Sequence, residues 1–394
     1  MDIHRYKEQC DRNTKRIQES KEFSKENKKI VLGFKNYLLS ENIGVAKINR
    51  YLQDIIRFNR MLGRTFSEAT KEDIRRVVGE LNQTSLSEET KKGIKIMIRK
   101  LYRFIEGVEE KGVYPDRVKW ISIAIPNNHK KLPEELLTED EISRMIQKCS
   151  CLRDKTFVAV LAESGGRIGE IATLKIKNVS FERYGARLTL SGKTGMRKIL
   201  IINSSPYLQQ WINNHPFSDN KESYLWIKDN GELLTDSRFS AILKKAGRMA
   251  GINKRIYPHL LRHSFATRIS EIMSEASMKQ YLGWGQSSKM CAVYIHMNGK
   301  SVDEAILRAN GIEVSSVKKE SQMKPLLCLK CKCINEFTNK FCKICGFPLN
   351  EKEAQEILKK ETERSVADEV MNKLMDDEEI LSLIKKKASL IKSS

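Results

Sequence analysis

The chain has 394 residues, and its 71 Lys and Arg against 50 Asp and Glu give a formal net charge of +21. A surplus of this size indicates a polyanionic partner, and nucleic acid is the partner that fits best. No apolar run is long enough to span a membrane and the N-terminus has no signal-peptide core, so we expect a cytoplasmic protein that makes no membrane contact.

The first 110 residues predict an arm followed by a helical bundle. Residues 1–25 are charged and poor in apolar side chains, which is typical of a mobile arm or a helix extension. Residues 26–110 carry apolar side chains at helical spacing, and Thr70 with Asp73 close behind it has the pattern of a helix N-terminus. We therefore expect a domain of about four helices, rich in Lys and Arg.

A linker that contains prolines precedes a second domain. Residues 111–135 hold three prolines, and the Thr138-Glu-Asp-Glu segment that follows has the pattern of a helix capping box. Residues 136–315 mix helical patterns with strand patterns at about 187–202 and 224–227. The expected fold class is therefore mostly α with a small antiparallel sheet, in which an α+β domain follows a helical one.

The segment Ser191-Gly-Lys-Thr-Gly195 contains the Gly-Lys-Thr ending of a nucleotide-binding P-loop. A P-loop also needs a glycine where this chain has Arg187, and a helix after the lysine. The residues that follow here, Arg-Lys-Ile-Leu-Ile-Ile, have a strand pattern instead. The segment therefore predicts two strands joined by a Gly192–Gly195 turn with Lys193 at its tip, and no nucleotide site.

Six side chains of the second domain form a set that suits cleavage of a phosphodiester: Arg167, Lys193, His259, Arg262, Trp284 and Tyr294. Two arginines can neutralise the non-bridging oxygens, because the planar guanidinium group binds phosphate in a bidentate manner. Tyrosine can act as nucleophile, histidine and lysine can transfer protons, and the indole N–H can donate a hydrogen bond. The set needs neither a catalytic metal nor a nucleotide cofactor.

The order of these residues resembles the tyrosine recombinase (phage integrase) family over about residues 25–310. The resemblance is carried by Pro258-His-Leu-Leu-Arg-His-Ser-Phe-Ala-Thr267, then Leu282-Gly-Trp284, then Tyr294 ten residues after the tryptophan. It implies that Tyr294 attacks DNA to form a 3′-phosphotyrosyl bond while Arg167 and Arg262 bind the phosphate. It also implies that His259 accepts a proton and that Lys193 protonates the departing 5′ oxygen.

The same resemblance implies partners and an architecture. Site-specific recombination of double-stranded DNA would be carried out by a homo-oligomer, a tetramer on paired sites, with contacts through the C-terminal region. A SAM-like core-binding domain and the catalytic domain would form a C-shaped clamp around the duplex. Two alternatives are a type IB-like topoisomerase, which uses the same chemistry, and a non-catalytic DNA-binding or architectural protein of the same fold.

Other residues near these motifs have plainer interpretations. Glu170 lies three residues after Arg167 and matches an acidic position of the family, where it would orient the site. His263 follows His259 by one helical turn, but the segment lacks the Glu of a zinc-binding His-Glu-x-x-His motif, so we expect a structural, supporting role. Tyr281 could compete as nucleophile, but its place on the apolar side of a helix predicts packing.

Five of the nine cysteines lie between Cys328 and Cys345. The pairs Cys328-x-x-Cys331 and Cys342-x-x-Cys345 have the spacing of a structural zinc site with four thiolates. We therefore expect a zinc ribbon over residues 323–350, as in archaeal members of the family, with Cys333 as the spare thiol, although an exchange of Cys331 and Cys333 stays open. Residues 351–394 predict one or two amphipathic helices whose mixed charge favours a protein neighbour over DNA.

Overall fold

The structure is a computed structural model that describes residues 3–124, 135–192, 194–295 and 324–375, together with Leu307, Asn310, Ile380 and Ser382. The chain divides into two compact units, Met1–Lys131 and Leu132–Ser394. The described residues are mostly helical, with one three-stranded antiparallel sheet and one two-stranded sheet. The prediction of a mostly α chain with a small antiparallel sheet is confirmed.

The first unit is a bundle of helices around one apolar core. Its elements are α1 (Tyr6–Glu19), α2 (Lys25–Ser40), α3 (Val45–Leu62), α4 (Lys71–Gln83) and α5 (Glu88–Ile105). Thr70 and Asp73 form the expected capping box at the start of α4. Phe34 and Phe58 are fully buried in the core, together with Tyr102 of α5.

Helix α1 lies in the segment that the composition predicts to be an arm. Cys10 and Ile17 of α1 are 3% and 2% exposed and belong to the same core as the other helices. They are seven residues apart, which is about two helical turns, so both face the bundle. Two apolar side chains are too few to predict an amphipathic helix from a charged sequence. Their burial nevertheless packs α1 against the other helices of the bundle.

The first unit also includes part of the expected linker. Val118 and Ile121 are buried in its core, and the Arg117 guanidinium donates to the carbonyl groups of Ser67 and Ala69 at 2.9 Å each. Residues 125–134 lie outside the described part of the chain. The packed core of the first unit therefore continues beyond residue 110.

The second unit begins with the capping box expected at Thr138, which Glu141 completes. Its helices are α6 (Glu139–Gln147), α7 (Leu152–Ser164), α8 (Ile168–Ala172), α9 (Ser205–Asn213), α10 (Asp236–Met249), α11 (Pro258–Ile269), α12 (Glu275–Leu282) and α13 (Met290–Ile295). Residues 156–162 of α7 are all buried, so α7 is the central helix of this unit.

Three strands form the sheet of the second unit in the order β1 (Val179–Glu182), β2 (Gly185–Gly192) and β3 (Gly195–Ile201). Gly192 pairs with Gly195, so the hairpin predicted from Ser191-Gly-Lys-Thr-Gly195 is confirmed. The prediction of a strand at 224–227 is wrong, because this segment forms only isolated bridges, to Lys175 and Leu233. Leu225, Trp226 and Ile227 are nevertheless buried, and the indole of Trp226 donates to the carbonyl of Ile171 at 2.7 Å.

A short cysteine-rich segment follows, with strands β4 (Leu326–Leu327) and β5 (Ile334–Asn335). It packs on α9 through Tyr207, whose ring centroid lies 6.2 Å from that of Phe337. The Tyr207 hydroxyl also lies 3.1 Å from Oγ1 of Thr338. The segment is therefore seated on the second unit by both an aromatic and a polar contact.

Helix α14 (Glu351–Met375) is the last long element. Leu358, Val366 and Val370 lie four or eight residues apart along one stripe and are 62%, 56% and 52% exposed. Leu381 and Ile384, which the sequence assigns to the same amphipathic tail, lie outside the described residues. Within the described part of the chain, no helix is long and apolar enough to cross a membrane.

Candidate active site

Arg167 lies at the turn between α7 and α8, where the sequence permits an unusual backbone. Gly165 has a φ of +55°, and a Cβ added there would lie 2.3 Å from the ring of Phe265, so a larger residue would be strained. The Arg167 guanidinium donates to Oε1 of Glu170 at 3.0 Å and to the carbonyl of Gly283 at 3.1 Å. Because its side chain remains 30% exposed, it can still contact a ligand.

Arg262 lies on α11 and donates to two backbone carbonyl groups. Nη1 donates to Gly165 at 2.7 Å, and Nη2 donates to Leu282 at 2.8 Å. Gly165 belongs to the turn that carries Arg167, and Leu282 precedes Gly283, whose carbonyl accepts from Arg167. The same two loops therefore position both guanidinium groups. Burial and the positive charge of Arg167 lower the pKa of Arg262 to about 10, at which the side chain stays protonated at neutral pH. Two such cations suit the binding of phosphate.

Glu170 is a buried carboxylate that joins α8 to the hairpin. Its side chain is 3% exposed and accepts hydrogen bonds from Arg197 at 2.9 and 2.8 Å and from the backbone N–H of Arg167 at 2.9 Å. Burial by itself would raise the pKa of Glu170. The hydrogen bonds from Arg197 and Arg167 outweigh burial and lower the pKa to about 2. Glu170 therefore fixes both Arg167 and strand β3.

Arg197 is absent from the set of residues predicted from the sequence, although the sequence carries a signal for it. Alternation along β3 places Arg197 on the same face as Ile199 and Ile201, which are 1% and 0% exposed. A charged side chain on a buried strand face requires a buried partner, and Glu170 is that partner. The Nε of Arg197 also donates to the carbonyl of Tyr281 at 2.8 Å.

Tyr294 lies on α13 with its ring and its hydroxyl group both in contact with other aromatic side chains. The residue is 3% exposed. Its ring stacks on Trp284 with the centroids 5.6 Å apart and an interplanar angle of 9°. Its hydroxyl lies 2.5 Å from Nδ1 of His263. The guanidinium carbon of Arg262 lies 5.4 Å from the Trp284 ring centroid. Burial raises the pKa of Tyr294, and the positive charge of Arg262 opposes that effect.

His259 and Lys193 complete the set predicted from the sequence. His259 lies in the first turn of α11, one turn before Arg262, and is exposed. Lys193 lies outside the described residues. Its neighbour Thr194 donates from Oγ1 to the carbonyl of Gly283 at 3.0 Å, and that carbonyl also accepts from Arg167. The end of the hairpin is therefore tied to the loop that holds the arginine.

Tyr281, weighed as a competing nucleophile, has other contacts. Its hydroxyl donates to the carbonyl of Leu200 at 2.9 Å, and its ring stacks on Phe265 with the centroids 5.6 Å apart. Burial raises the pKa of Tyr281. These contacts agree with a packing role between α12 and β3.

The sulfur atoms of Cys328, Cys331, Cys342 and Cys345 all lie within 4.8 Å of one another. Cys328 and Cys345 are 3.5 Å apart, and Cys331 and Cys342 are 3.4 Å apart, measured between Sγ atoms. A tetrahedral zinc ion with Zn–S bonds of about 2.3 Å sets its sulfur atoms about 3.8 Å apart. The spacing therefore fits four thiolate ligands, and Cys333 is not a member of the group.

The six residues of the set predicted to cleave a phosphodiester lie in a segment that matches a known protein family. Residues 135–300 match the model of the phage integrase family, and this range includes all six residues of the predicted set. The chain is 33% identical over 193 residues to the tyrosine recombinase XerA of Pyrococcus furiosus, which covers 48% of this chain and 66%, just under two thirds, of that relative. It is 25% identical over 277 residues to the tyrosine recombinase XerC of Alcanivorax borkumensis, which covers 67% of this chain and 88% of that relative.

Solved structures share the fold. The XerH site-specific recombinase bound to palindromic difH in a post-cleavage complex gives a TM-score of 0.56 at 19% identity, over 77% of this chain and 95% of that chain. A lambda integrase tetramer bound to a Holliday junction gives a TM-score of 0.53 at 16% identity, over 66% of this chain and 78% of that chain. At these identities the similarity concerns the fold.

Proposed function

We propose that the chain, whose residues 135–300 match the phage integrase family model and which is 33% identical over 193 residues to the tyrosine recombinase XerA of Pyrococcus furiosus, is a site-specific recombinase that cleaves and rejoins DNA strands. In the first step the hydroxyl oxygen of Tyr294 attacks the scissile phosphate, forms a 3′-phosphotyrosyl bond and releases a 5′ hydroxyl. A 5′ hydroxyl of a partner strand then attacks this bond and restores a continuous strand.

The observation that carries this proposal is the pair of arginines held on two shared loops beside a buried tyrosine. Arg167 and Arg262 neutralise the non-bridging oxygens of the phosphate, whose negative charge grows in the transition state. The Trp284 indole N–H donates to the same phosphate. His259 and Lys193 supply proton transfer, with Lys193 as the acid for the leaving 5′ oxygen. No step needs a catalytic metal or a nucleotide.

Double-stranded DNA is the proposed substrate and partner. The net charge of +21 supports binding through phosphate contacts. The XerH and lambda integrase structures of the same fold are DNA complexes, and the second is a tetramer. We expect this chain to assemble in the same way on paired sites, with the exposed apolar stripe of α14 contributing to contacts between copies.

The four cysteines are proposed to hold one structural zinc ion. Their sulfur atoms have the mutual spacing of a tetrahedral site, and the two Cys-x-x-Cys pairs belong to one short segment with little apolar core of its own. When bound, zinc cross-links the two pairs. None of the six residues proposed to carry the chemistry belongs to this segment, and the role proposed for the ion is to fold the segment that packs on α9.

Tyr294→Phe tests the nucleophile, because it removes only the hydroxyl oxygen. On a nicked duplex that traps the covalent intermediate, we expect wild type to give an adduct that protease digestion shifts on a gel. Tyr294→Phe should bind the duplex and form none. Tyr281→Phe is the matched control and should retain the adduct. If Tyr281→Phe is the inactive variant, Tyr294 is not the nucleophile. Transfer between two differently labelled duplexes separates a recombinase from a topoisomerase.

Lys193→Ala tests whether Lys193 is the general acid that protonates the leaving 5′ oxygen. A 5′ alkoxide needs a proton to leave, whereas a thiolate does not, since thiols are far more acidic than alcohols. Lys193→Ala should cleave ordinary DNA about 10²–10⁴-fold slower than wild type, and should cleave DNA with sulfur at the bridging 5′ position at a rate close to wild type. Arg262→Ala should stay slow on both substrates. If Lys193→Ala is equally slow on both, Lys198 on the same hairpin is the next candidate for the acid.

A further inference from the structure

The two Cys-x-x-Cys turns of the cysteine-rich segment have the same backbone hydrogen bonds. We call the six residues that begin at Cys328 the first knuckle and the six that begin at Cys342 the second knuckle. In the first knuckle the N–H of Lys332 donates to the carbonyl of Cys328 at 2.9 Å, and in the second the N–H of Gly346 donates to the carbonyl of Cys342 at 2.9 Å. In each knuckle the N–H of the first cysteine also donates to the carbonyl of the sixth residue, at 2.9 and 2.8 Å. Lys332 and Gly346 therefore occupy equivalent positions.

Lys332 has a left-handed backbone that a lysine rarely adopts. Its φ is +58°, and the φ of Gly346 is +68°. In this conformation a Cβ crowds the following carbonyl oxygen, so glycine fits best and asparagine or aspartate comes next. The second knuckle has the glycine that this backbone favours, whereas the first knuckle has a lysine. Because the backbone gains nothing from a lysine there, its side chain indicates a function other than folding.

Within the cysteine-rich segment, the exposed charges around Lys332 are all positive. Residues 324–350 contain five lysines and a single acidic residue, Glu336, which is 7% exposed. Lys330 and Lys343 lie on the two knuckles and are exposed, as is Lys332. The sulfur atoms of the two Cys-x-x-Cys pairs lie within 4.8 Å of one another, so the three lysines belong to two adjoining turns. An anionic partner therefore meets three lysines and no exposed carboxylate of this segment.

Two large apolar side chains are exposed on the same knuckles. Leu329 is 73% exposed and Ile344 is 70% exposed. Leu329 is next to Lys330 along the chain, and Ile344 is next to Lys343. Apolar side chains that are grouped on a surface indicate a contact with another molecule. Since the charges among them are all positive, the partner that fits this surface is a polyanion.

We propose that the two knuckles bind the phosphate backbone of double-stranded DNA, with Lys332 as a phosphate ligand. The choice of DNA as the polyanion rests on the proposed function. A lysine ammonium contacts phosphate as a flexible point charge, which suits binding that does not depend on base sequence. Leu329 and Ile344 supply apolar contacts to the groove between the phosphates. This contact is additional to those that Arg167 and Arg262 make with the scissile phosphate, because neither arginine belongs to the knuckles.

The test measures binding of the full chain to a fluorescent duplex of arbitrary sequence at several salt concentrations. One lysine–phosphate contact contributes about 0.9 to the slope of log Kd against log salt concentration, which is about eightfold in affinity between about 1 M and 0.1 M salt. Lys332→Gly should therefore lower the slope by about 0.9 and weaken binding about eightfold at about 0.1 M salt. Lys332→Arg keeps the charge and should match wild type. Lys360→Ala removes an exposed lysine of α14, outside the knuckles, and should leave the slope unchanged.

A second measurement separates the loss of a DNA contact from damage to the fold. Lys332→Gly replaces a lysine in the left-handed region by the residue that fits it, so the variant should release zinc to a chelator more slowly than wild type. Gly346→Ala places a Cβ on the equivalent backbone of the second knuckle and should release zinc faster, although that Cβ meets nothing within 4 Å. A variant that holds zinc better and binds DNA less tightly has lost a contact and kept its fold.

Three results would overturn the inference. A slope for Lys332→Gly equal to that of wild type would mean that the lysine does not contact DNA. Weaker DNA binding together with faster zinc release would mean that the lysine supports the fold of the knuckle. An unchanged slope with altered association between copies, measured by sedimentation without DNA, would mean that the knuckles contact protein. The proposed function fails separately, through absence of the Tyr294 adduct, which none of these measurements requires.

Discussion

Arg197→Ala tests the interpretation that a buried ion pair supports the candidate active site. The substitution removes hydrogen bonds of 2.9 and 2.8 Å from Glu170, whose side chain is 3% exposed. Loss of one partner from a buried ion pair costs about 3–5 kcal/mol, because the remaining charge stays desolvated. Arg167 still donates to Glu170 after the change, so the lower end of this range applies.

The lowered pKa of Glu170 gives a second, independent value for how much these hydrogen bonds contribute to the free energy of unfolding. It is about 2 in the folded protein and about 4.3 in an unfolded chain, a difference that corresponds to about 3 kcal/mol at neutral pH. A lowered pKa contributes stability that is present above the unfolded pKa and is lost as the pH falls toward the folded one. Wild type should therefore lose this contribution between about pH 4 and pH 2, and Arg197→Ala should lack most of it already at pH 7.

The assay is urea unfolding of the full chain, followed by tryptophan fluorescence. Trp211, Trp226 and Trp284 lie in the second unit, so the signal reports mainly on the part of the chain that contains Arg197. With a denaturant slope of about 1–3 kcal/mol per molar, a loss of about 3 kcal/mol lowers the midpoint by about 1–3 M.

A matched control lies on the same hairpin. Arg187 pairs with Glu182 at 2.6 and 3.0 Å, but both side chains are exposed. Arg187→Ala should leave the midpoint nearly unchanged, because water screens an exposed pair. The unfolding midpoint of Arg197→Lys should lie between those of wild type and Arg197→Ala, because lysine keeps the charge but cannot make the bidentate hydrogen bonds. A midpoint for Arg197→Ala no lower than that for Arg187→Ala would refute the reasoning.

Two further changes test the site and the cysteine cluster. Gly283 has a φ of +63°, so Gly283→Ala should lose about 1–2 kcal/mol of stability from the left-handed backbone alone. The substitution should also slow cleavage, because the added Cβ would lie 2.5 Å from Arg197. Gly285→Ala, where a Cβ meets nothing within 4 Å, should match wild type, and equal effects of the two changes in unfolding and cleavage would contradict this account. Metal analysis should find one zinc ion per chain, which Cys342→Ser loses and Cys333→Ser keeps. Wild-type protein that contains no zinc would contradict the proposed zinc ribbon.

Local sequence determined the features that depend on a few neighbouring residues. The capping boxes that begin at Thr70 and Thr138 were predictable, because a side chain there reaches the N–H three residues on. The hairpin was predictable from Gly192 and Gly195 between two runs of strand-forming residues. The apolar run at 224–227 was predicted as a strand and is buried without a ladder, because periodicity reports burial more directly than it reports strand pairing.

The partners of the candidate site were decided by the tertiary structure. Glu170 meets Arg197 across 27 residues, His263 meets Tyr294 across 31, and Arg167 meets the carbonyl of Gly283 across 116. The sequence predicted the charged and aromatic residue types that this chemistry requires. The alternation along β3 carries a signal for a buried Arg197, but the predicted set does not include this residue. Which residue receives each hydrogen bond depends on how α8, α11, α12 and α13 pack against the hairpin. That packing arises from the burial of many apolar side chains together, so no short stretch of sequence contains it.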